Sequence, residues 1–405
     1  MKIAEQVETL MHGTEYGDDA LRDIMAKELK ERLVFAEKAK RPLRVYCGFD
    51  PRTSDLHLGH TVPMRKLRQF QKFGHEVVFL VGNYTSLIGD PSDKDKLRPQ
   101  LTPDEVRKNA ETYAEQAFKI LDPEKTKIEY NSKWLSKLTF EHLIKLSSNF
   151  TINQFLTRDN FKIRFNKGEP IYLHETFYAI MQGYDAFALK ADVQVGGSDQ
   201  LFNIVTAARK LMVCLGGKAN IAVILDILPG TDGKVKMSKS LGNHIPLLST
   251  PEDMYGKVMS IPDDAIDAYM RLVTRWEPKK VMKLKDDVNK SKLHVKNLKM
   301  SLAFEIVSIY HGESGAVKAE KHFVDVFQRK DIPEDIPVHS LEGGINVVDL
   351  IVLKGLCKSR SEVRRLISQN AVTFEGDLVT TPDVILHKEG ILKIGRRRFI
   401  RLITK

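Results

Sequence analysis

An apolar strand, a helix and a second apolar strand follow one another near the start of the chain. LRVYCG (43–48) is a short strand, and HEVVFLVGN (75–83) has the composition of a buried one. Apolar residues spaced by three between them predict a helix over about 61–73. Because two strands joined through a helix lie parallel, this order predicts an α/β fold around a parallel sheet. Ligands bind such sheets beyond the C-terminal ends of the strands, so the loop at 50–60 is the first candidate site.

The remaining sequence predicts further regions. Residues 1–246 form the parallel-sheet domain, with helices at its N-terminus and a mainly helical insertion at about 91–190. Residues 247–328 have helical periodicity with basic faces, and 329–344 contain the prolines and glycines of a linker. Residues 345–405 form a small α+β unit of two helices and short strands.

The positive charge of the chain is concentrated in two segments. The net charge is +10; residues 345–405 hold 12 lysines and arginines against 6 acidic residues, and 279–299 hold 8 lysines against 2 aspartates. The rest of the chain is nearly neutral. A solvated basic face explains any one such segment, but two of them beside a neutral domain favour a polyanionic partner.

Composition excludes several classes of protein. With 42% hydrophobic residues the chain can bury a core, and no apolar run reaches the ~18–20 residues of a membrane-spanning helix. The three cysteines are far apart, which argues against a disulfide framework and a structural zinc site. MKIAEQVETL has no apolar stretch typical of a secretory signal, so we expect a cytoplasmic protein without a membrane partner.

His57-Leu58-Gly59-His60 stands at the entry to the first predicted helix. Helix N-termini bind phosphate, two imidazoles can donate hydrogen bonds to its oxygens, and Gly59 leaves room for a ligand. Two surface histidines, or a metal site with Cys47, are the alternatives. Pro63 would lie in the first turn of the predicted helix, where proline is tolerated.

A second basic motif, Lys236-Met237-Ser238-Lys239-Ser240, lies in a glycine-flanked loop after the strand predicted at 221–225. Two ammonium groups on a mobile loop can close over a triphosphate and neutralise the charge that develops as pyrophosphate leaves. A solvated basic loop is the simpler interpretation of this motif taken alone.

Taken together, HLGH and KMSKS resemble the two signature motifs of class I aminoacyl-tRNA synthetases. Further segments narrow the resemblance to bacterial tyrosyl-tRNA synthetases: YCGFDP (46–51), IGDPS (88–92), FYAIMQGYD (177–185), GGSDQ (196–200) and KMSKSLGN (236–243). The tail from INVVDLIVLKG onward resembles the S-four-type RNA-binding module of these enzymes. The resemblance implies a homodimer with a Rossmann-type catalytic domain, a dimer-forming insertion, a helical tRNA-binding domain and an RNA-binding tail.

The resemblance also implies roles for individual residues. Those for tyrosine are Tyr46 and Asp185 at the phenol hydroxyl, Asp90, Tyr178 and Gln182 at the α-ammonium, and Gln200 near the carboxylate. Those for ATP are Cys47, Gly48, Asp50, His57, Gly59, His60, Gly197, Asp199, Lys236, Met237, Ser238, Lys239 and Ser240. His57, His60, Lys236 and Lys239 are the catalytic candidates. The spacing of Tyr178, Gln182 and Asp185 independently puts them on one helix face.

The basic tail has its own local pattern. Ser359 and Glu362 match a capping box, so a helix begins there, with Arg360 and Arg364 one turn apart. Arginines also lie on or beside the last predicted strand: Arg396, Arg397 and Arg398. Such a surface suits the phosphates of folded RNA, although a merely solvated basic end is the alternative.

The implied function is ligation of L-tyrosine to tRNA(Tyr) with ATP, with Mg²⁺ bound to the ATP and no dedicated protein metal site. A tryptophanyl-tRNA synthetase is the nearest alternative, but Tyr46 and Asp185 suit a phenol better than an indole N–H, which can only donate. A small-molecule adenylyltransferase would not need the basic regions. A non-catalytic RNA-binding protein would not need intact histidines and lysines.

Overall fold

The chain forms two compact units, Met1–Glu320 and Lys321–Lys405. This computed structural model describes residues 2–51, 55–91, 102–325, 336–341, 343–395 and 398–404. Each unit has its own buried apolar core. None of the described helices is long and apolar enough to cross a membrane.

A parallel sheet lies at the centre of the first unit. Its strands are β1 (Arg44–Phe49), β2 (Glu76–Val81), β3 (Thr126–Tyr130), β4 (Val193–Gly197) and β5 (Ile221–Leu225). Within the described residues the strand order is β3-β2-β1-β4-β5, and every pair is parallel. The α/β prediction is therefore confirmed. The chain reverses its winding direction between β1 and β4, which is where ligands bind in doubly wound sheets.

Helices surround the sheet and continue beyond it. Those before and between the strands are α1 (Ile3–Met11), α2 (Asp19–Lys38), α3 (Leu58–Lys72), α4 (Pro103–Ala117), α5 (Ser132–Leu135), α6 (Phe140–Ser147), α7 (Ile152–Leu156), α8 (Asp159–Asn166), α9 (Leu173–Ala188), the π-helix Phe202–Ala208 and α10 (Arg209–Cys214). After β5 come α11 (Pro251–Ser260), α12 (Ile266–Val273), α13 (Pro278–Asn289) and α14 (Val295–Phe323). The helical prediction for the region after the sheet thus agrees with the structure.

The segment predicted as a mainly helical insertion also contains a strand. β3 pairs with β2 over five residues and forms one edge of the sheet. Its side chains are mostly half-buried, because only one of its edges is paired and it lies at the rim of the core. TKIEY therefore lacks the continuous apolar run by which β2 and β5 are recognised.

Helix α3 begins earlier than the sequence predicts. Its first residue is Leu58 rather than one near Thr61, so Pro63 lies in the second turn and not in the first. Pro63 cannot donate the hydrogen bond that an α-helix would give to the carbonyl of Gly59. Packing holds the helix in place instead: the Tyr310 hydroxyl lies 3.1 Å from Oγ1 of Thr61 in the buried interface with α14.

Helix α9 packs closely against the π-helix that follows β4. A Cβ placed on Gly183 would lie 3.3 Å from Cα of Ala208 and 3.4 Å from the carbonyl oxygen of Ala207, so glycine favours this close approach of the two backbones. The contact orients α9 so that its polar stripe faces the ends of β1 and β2 rather than solvent.

The second unit is a small sheet with two helices. Its elements are β6 (Val338–Leu341), β7 (Ile345–Asn346), α15 (Val347–Leu353), α16 (Arg360–Ser368), β8 (Val372–Phe374), β9 (Asp377–Leu378), β10 (Ile385–Leu386), β11 (Gly390–Ile394) and β12 (Arg398–Thr404). Among the described residues the larger sheet has the order β6-β12-β11-β8-β9. The linker prediction for 329–344 is wrong over Val338–Leu341, because β6 pairs in parallel with β12 and belongs to this sheet.

Candidate active site

The two signature motifs lie side by side although about 180 residues separate them in sequence. The N–H of Leu58 donates to the carbonyl of Ile245 at 3.0 Å, and that of Leu247 donates to the carbonyl of Leu56, also at 3.0 Å. Met237 is buried, and a Cβ placed on Gly59 would lie 3.6 Å from its Cβ. The loop carrying the lysines is therefore seated on the N-terminus of α3.

His57 and His60 cap the helix that they begin. The N–H of Gly59 donates to Nδ1 of His57, and the N–H of His57 donates to Nδ1 of His60, each at 3.2 Å. Because each Nδ1 accepts a hydrogen bond, each neutral ring carries its proton on Nε2, which is then a donor. The role of Gly59 in leaving room for a ligand stays a prediction; in the structure, a Cβ there would lie 3.0 Å from the His57 ring.

Both lysines of the second motif lie beside carboxylates. Nζ of Lys236 is 2.7 Å from Oδ2 of Asp199, and Nζ of Lys239 is 2.9 Å from Oδ2 of Asp55. Asp199 follows β4, and Asp55 precedes the histidines. The two lysines therefore contact two different segments, one after β4 and one before α3. Asp55 was not predicted as a site residue, because one aspartate in a polar loop gives no distinguishing signal.

Hydrogen bonds shape the loop between the lysines. The N–H of Ser238 donates to Oδ1 of Asn243 at 2.8 Å, and the hydroxyls of Ser238 and Ser240 are 3.0 Å apart. The N–H of Met237 donates to the carbonyl of Leu228 at 3.0 Å. Asn243 thus helps to fix the shape of the loop. It is the last residue of the motif KMSKSLGN, but roles were predicted only for the residues of KMSKS.

The polar stripe of α9 is buried, as expected for a ligand pocket rather than a solvated face. Tyr178 and Asp185 are buried, and Oε1 of Gln182 is a buried acceptor with no hydrogen-bond partner among the described residues. Such an oxygen is costly unless a donor reaches it. The stripe therefore presents an acceptor for a donor that the described residues do not supply.

Tyr46 of β1 lies against the buried stripe of α9. Its side chain is fully buried, and its hydroxyl is 3.5 Å from the carbonyl of Gln182. Burial and the nearby Asp185 carboxyl raise the pKa of the Tyr46 hydroxyl well above its usual value, so it remains a protonated donor.

Two residues that sequence reasoning missed hold Asp185. Nε1 of Trp134 donates to Oδ1 at 2.7 Å, and Nδ2 of Asn131 donates to Oδ2 at 3.2 Å. Burial nevertheless raises the pKa of Asp185 to about 8, with the two donors opposing the shift and the charge of Asp50 adding to it. Asn131 and Trp134 directly follow β3, so missing that strand concealed them.

Asp50, predicted at the ATP site, contacts the α9 stripe. The Tyr178 hydroxyl donates to Oδ2 of Asp50 at 3.0 Å, and the Thr85 hydroxyl donates to Oδ1 at 2.8 Å. Gly82 is required here, because a Cβ would lie 2.2 Å from Oδ1 of Asp50. Asp50 therefore joins the ends of β1 and β2 to the pocket.

Asp90 and Gln200 meet on the other side of the stripe. Nε2 of Gln200 donates to Oδ2 of Asp90, and Nδ2 of Asn203 donates to Oε1 of Gln200 at 3.0 Å. Nη2 of Arg158 lies 3.9 Å from Oδ1 of Asp90. Asp90, predicted to bind the α-ammonium, and Gln200, predicted to lie near the carboxylate, are therefore in contact. Arg158, which was not predicted, lies beside them.

The remaining predicted nucleotide residues line the ends of β1 and β4. Cys47 is buried, and burial raises the pKa of its thiol. Gly48 is the exposed residue near the end of β1, and Gly197 ends β4. A Cβ on Gly197 would lie 2.6 Å from Oδ1 of Asp199, so glycine keeps this carboxylate close to the strand. In the part of the chain that the structure describes, no group of three or more His, Cys, Asp or Glu residues could hold a metal.

The predicted RNA-binding arginines belong to the second unit. The Ser359 hydroxyl accepts from the N–H of Glu362 at 3.2 Å, but the Glu362 carboxylate accepts from the N–H of Lys358 rather than from that of Ser359. Arg360 and Arg364 lie exposed on α16, the first paired with Asp349 at 2.8 Å. Arg396 and Arg397 lie outside the described residues.

Arg398 has a role inside the unit. Nη1 donates to the carbonyl of Leu356 and lies 3.3 Å from Sγ of Cys357 and 3.4 Å from Oε1 of Glu362. It therefore ties β12 to the start of α16, which occupies part of its capacity to bind phosphate.

Comparison with known proteins connects this arrangement to one enzyme family. Residues 37–328 match the family model of class I tRNA synthetases of the tryptophan and tyrosine type. Tyrosine–tRNA ligase 2 of Clostridium acetobutylicum is 43% identical over 404 residues, covering 100% of this chain and 99% of that protein. Tyrosine–tRNA ligase of Thermotoga maritima is 44% identical, covering 94% and 95%.

Solved structures share the fold at lower identity. A C-terminally truncated mitochondrial tyrosyl-tRNA synthetase of Aspergillus nidulans matches with a TM-score of 0.63 and 24% identity, over 80% of this chain and 94% of that one. A tyrosyl-tRNA synthetase of Archaeoglobus fulgidus, complexed with L-tyrosine, matches with a TM-score of 0.60 and 20% identity, over 79% and 100%.

Proposed function

Because this chain belongs to the class I tRNA synthetases of the tryptophan and tyrosine type, we propose that it is a tyrosine–tRNA ligase. It activates L-tyrosine with ATP and transfers the tyrosyl group to the 3′ end of tRNA(Tyr). The observation that carries this proposal is the polar group formed by the buried Tyr46, Asp185 and Asn131 with the partly buried Trp134.

This polar group suits a phenol. With its pKa raised to about 8, the Asp185 carboxyl is mainly protonated at neutral pH and can donate to a phenol oxygen, and when ionised it can accept from the phenol hydroxyl. An indole N–H only donates and cannot use the first arrangement. Tryptophan is therefore the less suitable substrate. Phenylalanine would leave buried polar groups unpaired, and tyrosyl-tRNA synthetases are themselves the known example of discrimination by this effect.

The amino end of the substrate would bind at Asp90, Tyr178 and Gln182. The buried Oε1 of Gln182 awaits a donor, and an α-ammonium supplies one. Gln200, which donates to Asp90, would lie near the substrate carboxylate. The ribose and adenine would lie against Cys47, Gly48, Gly197 and Asp199, at the ends of β1 and β4.

In the activation step an oxygen of the tyrosine carboxylate attacks the α-phosphorus of ATP, and the bond to the bridging oxygen of pyrophosphate breaks. Tyrosyl-adenylate forms, and the electron pair leaves on pyrophosphate. His57 and His60 would donate from Nε2, and Lys236 and Lys239 would neutralise the developing charge. ATP would take these ammonium groups from Asp199 and Asp55, which hold them at 2.7 and 2.9 Å.

Mg²⁺ would enter bound to the ATP phosphates and share the neutralisation with the two lysines. In the second step the terminal ribose hydroxyl of tRNA attacks the activated carbonyl, and AMP leaves. The basic regions support tRNA as the partner: the lysines of α13 and the exposed Arg360 and Arg364 of α16. Such charging takes place in the cytoplasm, where we place the enzyme.

A second copy of the chain would cover an apolar face of the insertion. Large apolar side chains are strongly exposed along α6, α7, α8 and the start of α9: Phe140, Ile144, Ile152, Phe165 and Leu173. Exposed apolar surface of this kind marks an interface. We infer that the enzyme is a homodimer joined through this face, which sedimentation of the wild type and of Phe140→Glu would test.

ATP–pyrophosphate exchange with each amino acid in turn tests the proposal. We expect exchange with tyrosine, followed by charging of tRNA(Tyr). Exchange only with tryptophan would point to the sister enzyme, and exchange without any amino acid dependence would point to a small-molecule adenylyltransferase. A protein that binds tRNA but exchanges with no amino acid would be a non-catalytic RNA-binding protein.

A further inference from the structure

A buried arginine lies behind the proposed amino-group site. The Arg158 side chain is only 3% exposed, and its guanidinium lies 5.1 Å from the ring centres of both Phe161 and Phe202. Neither Nη atom has a hydrogen-bond partner among the described residues. The carboxylate of Asp90 lies nearby, with its Oδ1 3.9 Å from Nη2 of Arg158. This separation allows strong attraction but no hydrogen bond.

Another arginine of the same region shows what a structural ion pair looks like here. Arg164 of α8, equally buried, contacts both carboxylate oxygens of Glu175 at 2.6 and 2.9 Å. A pair of that kind satisfies the arginine but occupies an acceptor site on both oxygens of the carboxylate. Arg158 is held short of such contact by the two phenyl rings, whose faces attract a desolvated cation.

The gap between Arg158 and Asp90 therefore has a chemical consequence. A buried carboxylate without a cation tends to take up a proton, and a neutral carboxyl no longer holds an ammonium group. The same pocket contains an example in Asp185, whose described neighbours donate hydrogen bonds but include no cation and whose pKa is raised to about 8. Arg158 gives Asp90 a countercharge and leaves its oxygen atoms to other donors.

We propose that Arg158 is a positioning residue for the amino group of the substrate: its guanidinium balances the charge of the buried Asp90 carboxylate while leaving that carboxylate able to accept hydrogen bonds from the α-ammonium. This inference rests on the proposed function and deepens it, because it assigns amino-group recognition to a residue that does not touch the substrate.

The test compares three ligands that differ at one end. Tyrosine has both the amino group and the carboxylate, tyramine lacks the carboxylate, and deaminotyrosine lacks the amino group. Their dissociation constants are measured by equilibrium dialysis on the full-length protein at neutral pH. The variants are Arg158→Met, which removes the charge, and Arg158→Lys, which keeps it.

In Arg158→Met we expect tyrosine and tyramine to bind roughly tenfold more weakly or worse, as for loss of a hydrogen bond to a charged group. Deaminotyrosine should bind within about twofold of wild type, because it has no ammonium group to interact with Asp90. Arg158→Lys should retain most of the preference for ligands with an amino group.

Arg164→Met is the matched control, since it removes a buried arginine that also lies near Phe161. It should lower the melting temperature by stranding Glu175, yet leave the ratio of tyrosine to deaminotyrosine affinity unchanged. An unchanged ratio in Arg158→Met, or tighter binding of tyrosine, would overturn the inference. If Arg158→Met does not fold, Arg158→Lys still tests the inference: a fall of its tyrosine-to-deaminotyrosine affinity ratio far below that of the wild type would overturn it. Failure of the wild type to bind tyrosine would instead refute the proposed function.

Discussion

Replacing Trp134 with phenylalanine should damage recognition of the substrate hydroxyl more than any other part of the reaction. The indole donates to Oδ1 of Asp185 at 2.7 Å, and Asp185 is 3% exposed, so water cannot replace the lost donor. Asn131 still donates to Oδ2, but at the longer distance of 3.2 Å. Phenylalanine keeps most of the apolar contact with Tyr46 and Leu189 in the core around the pocket.

The size of the effect follows from the bond that is lost. Removing the indole strands a buried oxygen of Asp185, which costs ~1–3 kcal/mol, so kcat/KM for tyrosine should fall by roughly 5-fold to 150-fold. Phenylalanine never contacts the hydroxyl site, so its much lower kcat/KM should change little. The tyrosine-to-phenylalanine selectivity in ATP–pyrophosphate exchange should therefore fall by nearly the same factor.

The second tryptophan of the chain provides the control. Trp276 lies in the helical region, where Nζ of Lys280 is 4.6 Å from its ring centre. Trp276→Phe should leave selectivity unchanged, and because the chain has 2 tryptophans it leaves Trp134 as the single indole reporter. Quenching or enhancement of its fluorescence should then follow tyrosine binding. Equal losses for tyrosine and phenylalanine in Trp134→Phe would refute the assignment of Asp185 to the phenol.

Three further outcomes follow from the structure. Lys239→Ala should slow adenylate formation, measured by pre-steady-state kinetics, by about 100-fold to 1,000-fold, with little effect on tyrosine binding measured by dialysis. Asp55→Asn should change the rate by less than about fivefold, because the exposed ion pair contributes ~0–1 kcal/mol. Equal effects of the two substitutions on the rate would contradict these roles. A chain ending at Asp325 should keep tyrosine-dependent exchange but lose most charging of tRNA, and full charging at moderate salt would refute the RNA-binding role of the second unit. Because the pKa of Asp185 is raised to about 8 from its ordinary 3.8, the folded state binds this proton more tightly, and the resulting stabilisation is present below about pH 4 and is lost as the pH rises to about 8. Asp185→Asn should therefore flatten the pH dependence of the free energy of unfolding between these values. An unchanged slope would contradict the burial of this carboxyl.

The periodicity of apolar and polar residues was sufficient to predict the helices and strands with a regular pattern. The strand–helix–strand order predicted the parallel sheet, and the spacing on α9 predicted the buried stripe of Tyr178, Gln182 and Asp185. These features follow from short-range pattern, because a helix face and a buried strand are both visible in fewer than about twenty residues.

Residues that act through tertiary contacts could not be found in this way. Trp134 and Asn131 follow an edge strand without an apolar run, and Arg158 stands immediately before a short helix in an ordinary polar segment. Each matters only because the chain brings it to Asp185 or Asp90 from more than 50 residues away. None of these three residues belongs to a sequence motif of histidines, lysines and glycines, so the motifs do not indicate them.

The two halves of the proposed site differ in how their polar side chains are held. At the amino-acid end Asp185 is buried and fixed by two donors, so any change of partner exposes a buried polar group and is costly. At the phosphate end Lys236 and Lys239 are about half exposed, and they contact Asp199 and Asp55. Exposed pairs contribute little, so a triphosphate can replace Asp199 and Asp55 at small cost. Discrimination among amino acids thus depends on groups that cannot rearrange, whereas charge neutralisation in the transition state depends on groups that can exchange partners within the reaction.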